Sequence, residues 1–295
     1  MITHSGFIAL IGRPNVGKST LLNAILGRKI AIATPKPQTT RISIRGILHS
    51  GGAELILIDT PGVHRAKHSL DRHLVRGARR AAQAVDGLWH VVDVSRPPRE
   101  EDGWGADLCR AAGAPIWLVA NKSDLVAARN ERIEPYRMLA EYERVYAVSA
   151  LTGTGIDSLL ADALAGLPEG VAYFPEEMVT DQTEDTYVAE TVREQILLAT
   201  EDEVPHSVAI VVEERALRPN HTMYIRATVY VERESQKAIL IGAGGRMLRR
   251  IGEASRRGLE EYYQGRVYLD LWVKVRRHWR DQEEWLRRLG FAQTE

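Results

Sequence analysis

The sequence predicts an α/β fold in two parts: a mostly parallel sheet with helices on both faces, followed by a smaller α+β domain. Three observations carry this expectation. Five short apolar runs alternate with helical patterns up to residue 164. A stretch at 167–178 with two prolines, one glycine and three glutamates interrupts the alternation. Beyond it, helices and β-branched strands follow in a different order. A chain of 295 residues is also too long for one ordinary core, so two domains are the prior expectation.

The apolar runs are 7–11, 54–59, 87–94, 115–121 and 145–149. Helical patterns cover 18–26, 69–84, 102–112, 132–142 and 156–164. Apolar strands separated by helices of this length indicate a parallel sheet covered on both sides. Such sheets bind ligands at the carboxyl ends of their strands. The interruption is read as a linker, which divides the chain into 1–167, a linker at 168–178, and 179–295. In the second part, 181–201 reads as a helix and 207–215 and 222–233 as strands. A glycine-rich loop follows at 242–245, then a helix over 246–263 with a break near Gly252. A strand at 267–275 and a helix at 279–289 complete it.

Lys and Arg number 39, as do Asp and Glu, which argues against a chain that coats nucleic acid along its whole length. The balance is uneven. Residues 237–295 hold thirteen basic and eight acidic residues, leaving 26 and 31 before them. The first part is thus near −5 and the last near +5, so a polyanion partner is expected at the C-terminal part. The one cysteine, Cys109, rules out an intrachain disulfide and reads as a small buried helix residue. No signal peptide is visible, and no stretch approaches the roughly 18–20 apolar residues of a membrane span. The chain is expected in the cytoplasm as a monomer, with peripheral contact at the inner face of the cell membrane left open.

The motifs fall at strand ends. Gly12, Arg13, Pro14, Asn15, Val16, Gly17, Lys18 and Ser19 match G-x-x-x-x-G-K-[ST] between a strand and a helix, and Thr20 follows. Glycines let backbone N–H groups turn inward around phosphates, and the helix start adds its positive end. Lys18 is placed for the β and γ phosphates and the Ser19 hydroxyl for Mg2+. Asp59, Thr60, Pro61 and Gly62 follow the second apolar run. Asp59 suits Mg2+ through water, and the Gly62 N–H suits the γ-phosphate, so hydrolysis would release the segment after it. Between them, the loop 34–41 offers Gln38, Thr39, Thr40 and Arg41 as the other switch residues. Thr40 is chosen as the second Mg2+ ligand, with Thr39 as the alternative.

Asn121, Lys122 and Asp124 follow the fourth run. The Asp124 carboxylate can accept two hydrogen bonds from guanine, whereas adenine would leave it unpaired at a large cost. Asn121 is expected to hold the other edge of guanine and tie its loop to the phosphate loop. The Lys122 stem is expected on the purine face. Ser149, Ala150 and Leu151 follow the fifth run, with the Ala150 N–H aimed at guanine O6. GTP and GDP are therefore the expected substrate and product.

In the second part, Ile241, Gly242, Ala243, Gly244 and Gly245 are read as following a strand and opening a helix. A GxxG loop at a helix N-terminus is the element with which KH domains clamp the backbone of about four nucleotides. Its third position is Gly244 where such loops usually carry a basic residue, so phosphate contact falls to the backbone and to Arg246, Arg249 and Arg250. These three share one helix face at i, i+3 and i+4. Trp279, Trp285, Leu286 and Leu289 read as a helix packed on this domain.

With these residues, the chain resembles the translation-factor-like GTPases and, within them, the Era family. The nucleotide motifs stand in order over 1–167, and Gln38–Arg41 with the second domain favours Era. The resemblance implies a Ras-like P-loop G domain followed by a type II KH domain. It also implies binding to small-subunit ribosomal RNA near its 3′ end and a role in small-subunit maturation. The related Der family carries two G domains, and this chain has one. A metabolic P-loop kinase is disfavoured by Asn121–Asp124 and Ser149–Leu151. A non-hydrolysing RNA-binding scaffold is the remaining rival.

Val63 stands where Ras-type sites place a water-orienting glutamine, so slow Mg2+-dependent hydrolysis is expected. His64, next to it, reads as a base or as a solvated loop residue. Resemblance to GTPases with Asn at this loop position implies that Asn15 supports a K+ ion in place of an arginine finger. Lys18, Thr40 and Asn15 are thus the catalytic candidates.

Overall fold

The computed structural model describes residues 2–36, 38–66, 68–127, 129–201 and 204–291. They form two compact units. The described residues of Met1–Lys67 and Asp71–Asp181 make one, and those of His68–Leu70 and Gln182–Glu295 the other.

In the first unit the order is β1 (His4–Ile11), α1 (Lys18–Leu26), β2 (Ile44–Ser50), β3 (Ala53–Asp59), α2 (Ser69–Gln83, which belongs here from Asp71 on), β4 (Gly87–Asp93) and α3 (Glu100–Ala112). Then come β5 (Ile116–Asn121), α4 (Arg129–Arg137), β6 (Arg144–Ala147) and α5 (Ile156–Ala165). The sheet order is β2-β3-β1-β4-β5-β6, parallel except for β2 against β3. Successive side chains of a strand face opposite sides. Ile8 and Leu10 therefore join a core with Leu21, Leu22, Leu57 and Leu159. Ala9 and Ile11 join another with Ala82, Leu88 and Cys109. Burial on both faces explains why the strands read as continuous apolar runs. Register brings the carboxyl ends together: Leu10 pairs with Asp59 and Trp89, and Asp93 with Asn121.

The antiparallel β2 was not anticipated. An exposed Arg45 and a glycine at 46 mask its pattern. The glycine serves packing, because a Cβ there would lie 2.6 Å from Leu22 Cδ1 and Leu26 Cδ1. The helix expected at 132–142 forms at Arg129–Arg137 instead. Residues 138–142 leave it, and Tyr142 instead bonds His90 Nδ1 through its hydroxyl at 2.7 Å. Residues 168–179 are fastened to this unit. Buried Glu54 accepts from Tyr173 N (2.7 Å), Phe174 N (2.9 Å) and His49 Nε2 (3.0 Å), and Ile47 N donates to Val179 O at 2.8 Å.

The second unit runs α6 (Glu184–Ala199), β7 (Ala209–Leu217), β8 (Met223–Val231), α7 (Glu234–Ile241), α8 (Arg246–Tyr263), β9 (Val267–Val275) and α9 (Glu283–Arg288). Its sheet is β7-β8-β9, with β7 antiparallel and β9 parallel to β8. The core gathers Val192, Ile196, Val229, Leu240, Ile251 and Val273. Three expectations are corrected. The glycine loop follows the helix α7, not a strand. α7 is only eight residues long, and it starts where Gln236 Oε1 accepts from Glu232 N and Arg233 N. α8 runs unbroken through Gly252, where even a Cβ would make ordinary contact with Leu271 Cδ1 at 3.7 Å. The last helix splits into a 3-10 turn (Trp279–Asp281) and α9 at the extended Gln282. Trp279 and Leu286 are fully buried, and Trp279 Nε1 donates to Ser207 O at 2.9 Å. Among the described residues no helix is long and apolar enough to cross a membrane.

Candidate functional site

The loop after β1 is built by steric demands. A Cβ on Gly12 would sit 2.2 Å from Val91 O, and Gly17 has φ +99° with Asn121 Nδ2 2.3 Å from the Cβ position. Asn15 also adopts positive φ. α1 starts at Lys18 with no side chain of the described residues capping its N-terminus, so its first N–H groups are available to an anion. Lys18 Nζ donates to Gly12 O (3.0 Å) and Arg13 O (3.1 Å). Burial lowers its pKa to about 8, and a bound phosphate would restore the full charge.

Ser19, Thr40 and Asp59 converge. Ser19 Oγ donates to Asp59 Oδ2 at 2.6 Å and lies 2.8 Å from Thr40 Oγ1. Thr40 Oγ1 donates to the same Oδ2 at 3.1 Å. Asp59 is fully buried, and its Oδ1 has no hydrogen-bond partner among the described residues. Burial raises its pKa, against the pull of Lys18, Ser19 and Thr40. Two hydroxyls and a carboxylate with an unused oxygen are the hard donors that Mg2+ prefers. Thr39 turns elsewhere, to Thr34 Oγ1 (2.7 Å) and Lys36 O (2.6 Å). Among the described residues no group of three or more His, Cys, Asp and Glu could hold a metal, so the oxygen cluster is a separate kind of site.

Thr60 Oγ1 donates to Leu10 O at 2.7 Å. Pro61 leads to Gly62, where a Cβ would lie 2.6 Å from Pro14 N, so the two phosphate-site loops touch. Val63 N donates to Gly12 O at 3.1 Å, while its side chain is 5 % exposed in the core. His64 is not a solvated loop residue. Its Nδ1 meets Gly62 O at 2.7 Å, and its Nε2 lies 3.1 Å from Gln38 Nε2 and 3.4 Å from Asp71 Oδ1. Burial opposes its charge, but Asp71 and the Gly62 carbonyl outweigh that and raise its pKa. Arg41 is buried. Asn15 Nδ2 donates to Pro35 O at 2.6 Å and reaches the switch loop.

On the base side, Asn121 Nδ2 donates to Val16 O at 2.8 Å, tying the two loops. Asn121 Oδ1 accepts from Ala150 N at 2.9 Å, which joins the Asn121 loop to the loop after β6. Lys122 Nζ donates to Asn15 O (2.8 Å) and Asp93 Oδ2 (2.7 Å). Asp124 is exposed on the 3-10 turn Ser123–Leu125. Ser149 Oγ accepts from Thr152 N, and Leu151 is 81 % exposed.

Sequence reasoning missed a buried charge network beneath this pocket. Arg13 Nε donates to both oxygens of Asp102, each at 3.1 Å, and Arg13 Nη2 lies 3.7 Å from Asp93 Oδ2. Asp102 also caps its own helix by accepting from Arg99 N at 2.9 Å. An acidic residue in a first helical turn was the only sequence signal, and it pointed to capping alone.

In the second unit, Gly242, Gly244 and Gly245 all have positive φ (69°, 60° and 77°). A Cβ on Gly242 would lie 2.8 Å from Met247 Cβ. Ile241 and Ala243 flank the turn, and Arg246 Nε donates back to Ala243 O at 3.2 Å. Among the described residues no side chain caps the α8 N-terminus, and Arg246, Arg249 and Arg250 are exposed on its first turns.

Residues 7–122 match the family model described as a 50S ribosome-binding GTPase, and residues 203–280 match a KH domain. GTPase Era of Carboxydothermus hydrogenoformans is 44 % identical over 302 residues, covering 100 % of both chains. GTPase Era of Geotalea uraniireducens is 45 % identical over 290 residues, 98 % of each. The chain belongs to the Era family of GTPases. Its fold is accordingly a Ras-like G domain followed by a KH domain. Among solved structures, an Aquifex aeolicus Era variant bound to GDP and AlF4− matches with TM-score 0.94 and 35 % identity, over 98 % of this chain and 100 % of that one. Era in complex with MgGDPNP and nucleotides 1506–1542 of 16S ribosomal RNA matches with the same score and identity, over 99 % and 100 %.

Proposed function

We propose that this Era-family GTPase is a slow switch that binds small-subunit ribosomal RNA near its 3′ end and acts in small-subunit maturation. The division is a G domain at 1–167, a linker at 168–178 and a KH domain at 179–295. The observation that carries the nucleotide half is the meeting of Ser19, Thr40 and Asp59 beside Lys18 and the uncapped start of α1. The RNA half is supported by the positive-φ loop Gly242–Gly245 under Arg246, Arg249 and Arg250, and by the full-length likeness to Era held with 16S RNA.

In this reading the backbone of Gly12–Thr20 cradles the phosphates and Lys18 neutralises the β and γ groups. Ser19 and Thr40 hold Mg2+ directly and Asp59 through water; bound there, Mg2+ offsets the negative charge of the β and γ phosphates. Asp124 selects guanine, Asn121 braces its loop against Val16, and the Lys122 stem covers the ring. Val63 is buried and cannot orient water, so turnover is slow. Asn15, whose amide nitrogen is engaged by Pro35 O, keeps its side-chain oxygen for a K+ ion that speeds hydrolysis. In this reading the chain acts as a monomer in the cytoplasm, where its ribosomal RNA partner would be met.

Two measurements on the full chain test it. Single-turnover GTP hydrolysis should require Mg2+ and run faster in potassium than in sodium chloride at equal ionic strength; equal rates would remove K+ from the account. Gly242→Asp/Gly245→Asp should weaken binding of an RNA with the 1506–1542 sequence and leave GDP affinity intact. Unchanged RNA binding would remove the RNA-binding role given to this loop.

A further inference from the structure

The strongest concentration of positive charge is not at the C-terminal end. Residues 1–100 carry 15 Lys and Arg against 6 Asp and Glu, a net of +9, whereas residues 101–236 carry 11 against 25, a net of −14. The two opposite segments cancel when they are averaged into one weakly acidic first part.

Within the basic segment, charge gathers on α2. Arg72, Arg76, Arg79 and Arg80 lie on this helix and all are exposed. At 3.6 residues per turn they fall within an arc of about 100° and span about 12 Å of axis. The opposite side carries Leu74, Ala78 and Ala82, which are buried. The one acidic residue of the helix, Asp71, is 4 % exposed and accepts from Gln38 Nε2 at 3.0 Å, so it does not offset this face. Arg76 and Arg79 have no hydrogen bond or ion pair with any described residue.

Guanidinium groups are planar forks matched to phosphate oxygens, and here a rigid helix sets their spacing. We infer that the exposed face of α2 is a second RNA-binding surface, one that grips sugar–phosphate backbone without reading bases. This goes beyond the KH loop but rests on the reading that the chain binds RNA. A lipid bilayer fits the face poorly. Helices that lie in membrane interfaces present large apolar side chains beside their basic residues, and no large exposed hydrophobic side chain belongs to α2. Because α2 follows Asp59–Val63 in the chain, RNA held there bears on the segment that answers to the γ-phosphate.

The test uses the full chain and a labelled RNA duplex of about 20 base pairs, long enough to span several phosphate contacts. Binding is followed by fluorescence anisotropy between about 50 and 200 mM salt. Each phosphate contact contributes roughly 0.7–0.9 to the slope of log K against log salt, so two lost contacts lower the slope by about 1.4–1.8. Arg76→Gln/Arg79→Gln should show this change, with affinity near 0.1 M salt reduced about 25- to 60-fold. Arg76→Lys/Arg79→Lys, which keeps the charge, should stay within a few-fold of the parent, and both variants should keep the parent GDP affinity. An unchanged slope in the glutamine variant overturns the inference. So does loss of binding to phosphatidylserine vesicles in that variant with RNA binding intact, which would assign the face to a membrane. RNA binding by the KH loop is tested separately, through Gly242→Asp/Gly245→Asp and the 1506–1542 RNA.

Discussion

Replacing Asp102 by Asn tests whether the phosphate loop depends on the buried charge network beneath it. Asp102 is fully buried, its partner Arg13 nearly so, and the guanidinium Nε donates to both carboxylate oxygens. Asp102→Asn keeps the shape but leaves a buried cation without its closest counter-charge. Removing one partner of such a pair costs about 3–5 kcal/mol. Asp93, 3.7 Å from Arg13 Nη2, offsets part of this, so a loss of about 3 kcal/mol is expected. For a unit of this size each kcal/mol moves Tm by about 2–4 °C, which gives a fall of about 6–12 °C. The transition to follow is the one that saturating GDP raises, since ligand binding stabilises the unit that holds it. GDP affinity should fall as well, because Arg13 belongs to the phosphate loop. Arg13→Met/Asp102→Leu removes both charges and should cost less than the two single changes added together. A fall below about 2 °C for Asp102→Asn, or additive costs in the double variant, would refute the role assigned to this pair.

Two further outcomes follow from the same geometry. His90 is fully buried, and burial, then Lys18, lowers its pKa to about 3. The unfolded chain binds its proton near the ordinary value of about 6.5, so stability is complete above that pH and declines as pH falls toward 3. At pH 5 the loss from this group is about 2 kcal/mol; urea unfolding at pH 5 and at pH 7.5 should show a smaller difference for His90→Asn than for the parent, and equal differences would contradict the assignment. Thr40→Ala should weaken Mg2+-dependent binding of a non-hydrolysable GTP analogue by at least about tenfold with little effect on GDP, and Thr39→Ala should not. The reverse ranking would move the ligand role to Thr39.

Much of the nucleotide pocket was legible because its residue types answer to local chemistry. Gly12 and Gly17 are required where backbone oxygen or a side-chain amide approaches closely, and Ser19 and Asp59 stand at fixed places relative to a strand and a helix. Features set by distant packing were not legible. Gly46 reads as a strand breaker until Leu22 and Leu26 are seen against it, so β2 was missed. α7 was missed because it is short and its start is made by a side chain, Gln236, reaching back to the backbone. The Arg13–Asp102 pair joins residues far apart in the chain, and an aspartate in a first helical turn already has a sufficient local reason. The bond from Ala150 N to Asn121 Oδ1 was not legible either, because it joins residues of two different loops. Charge misled through averaging: a C-terminal excess of +5 drew attention from the +9 carried by the first hundred residues.

The central claim is that this chain reads guanine through one carboxylate, and the affinity of Asp124→Asn for GDP and XDP tests it most directly. Two hydrogen bonds to a charged acceptor are worth about 1.5–3 kcal/mol each, so GDP affinity should fall by about 10^2–10^4. Xanthine carries a carbonyl where guanine has its amino group, so the carboxamide can donate to it and XDP should bind the variant more tightly than GDP does. GDP affinity equal to that of the parent, with XDP still excluded, would contradict the account.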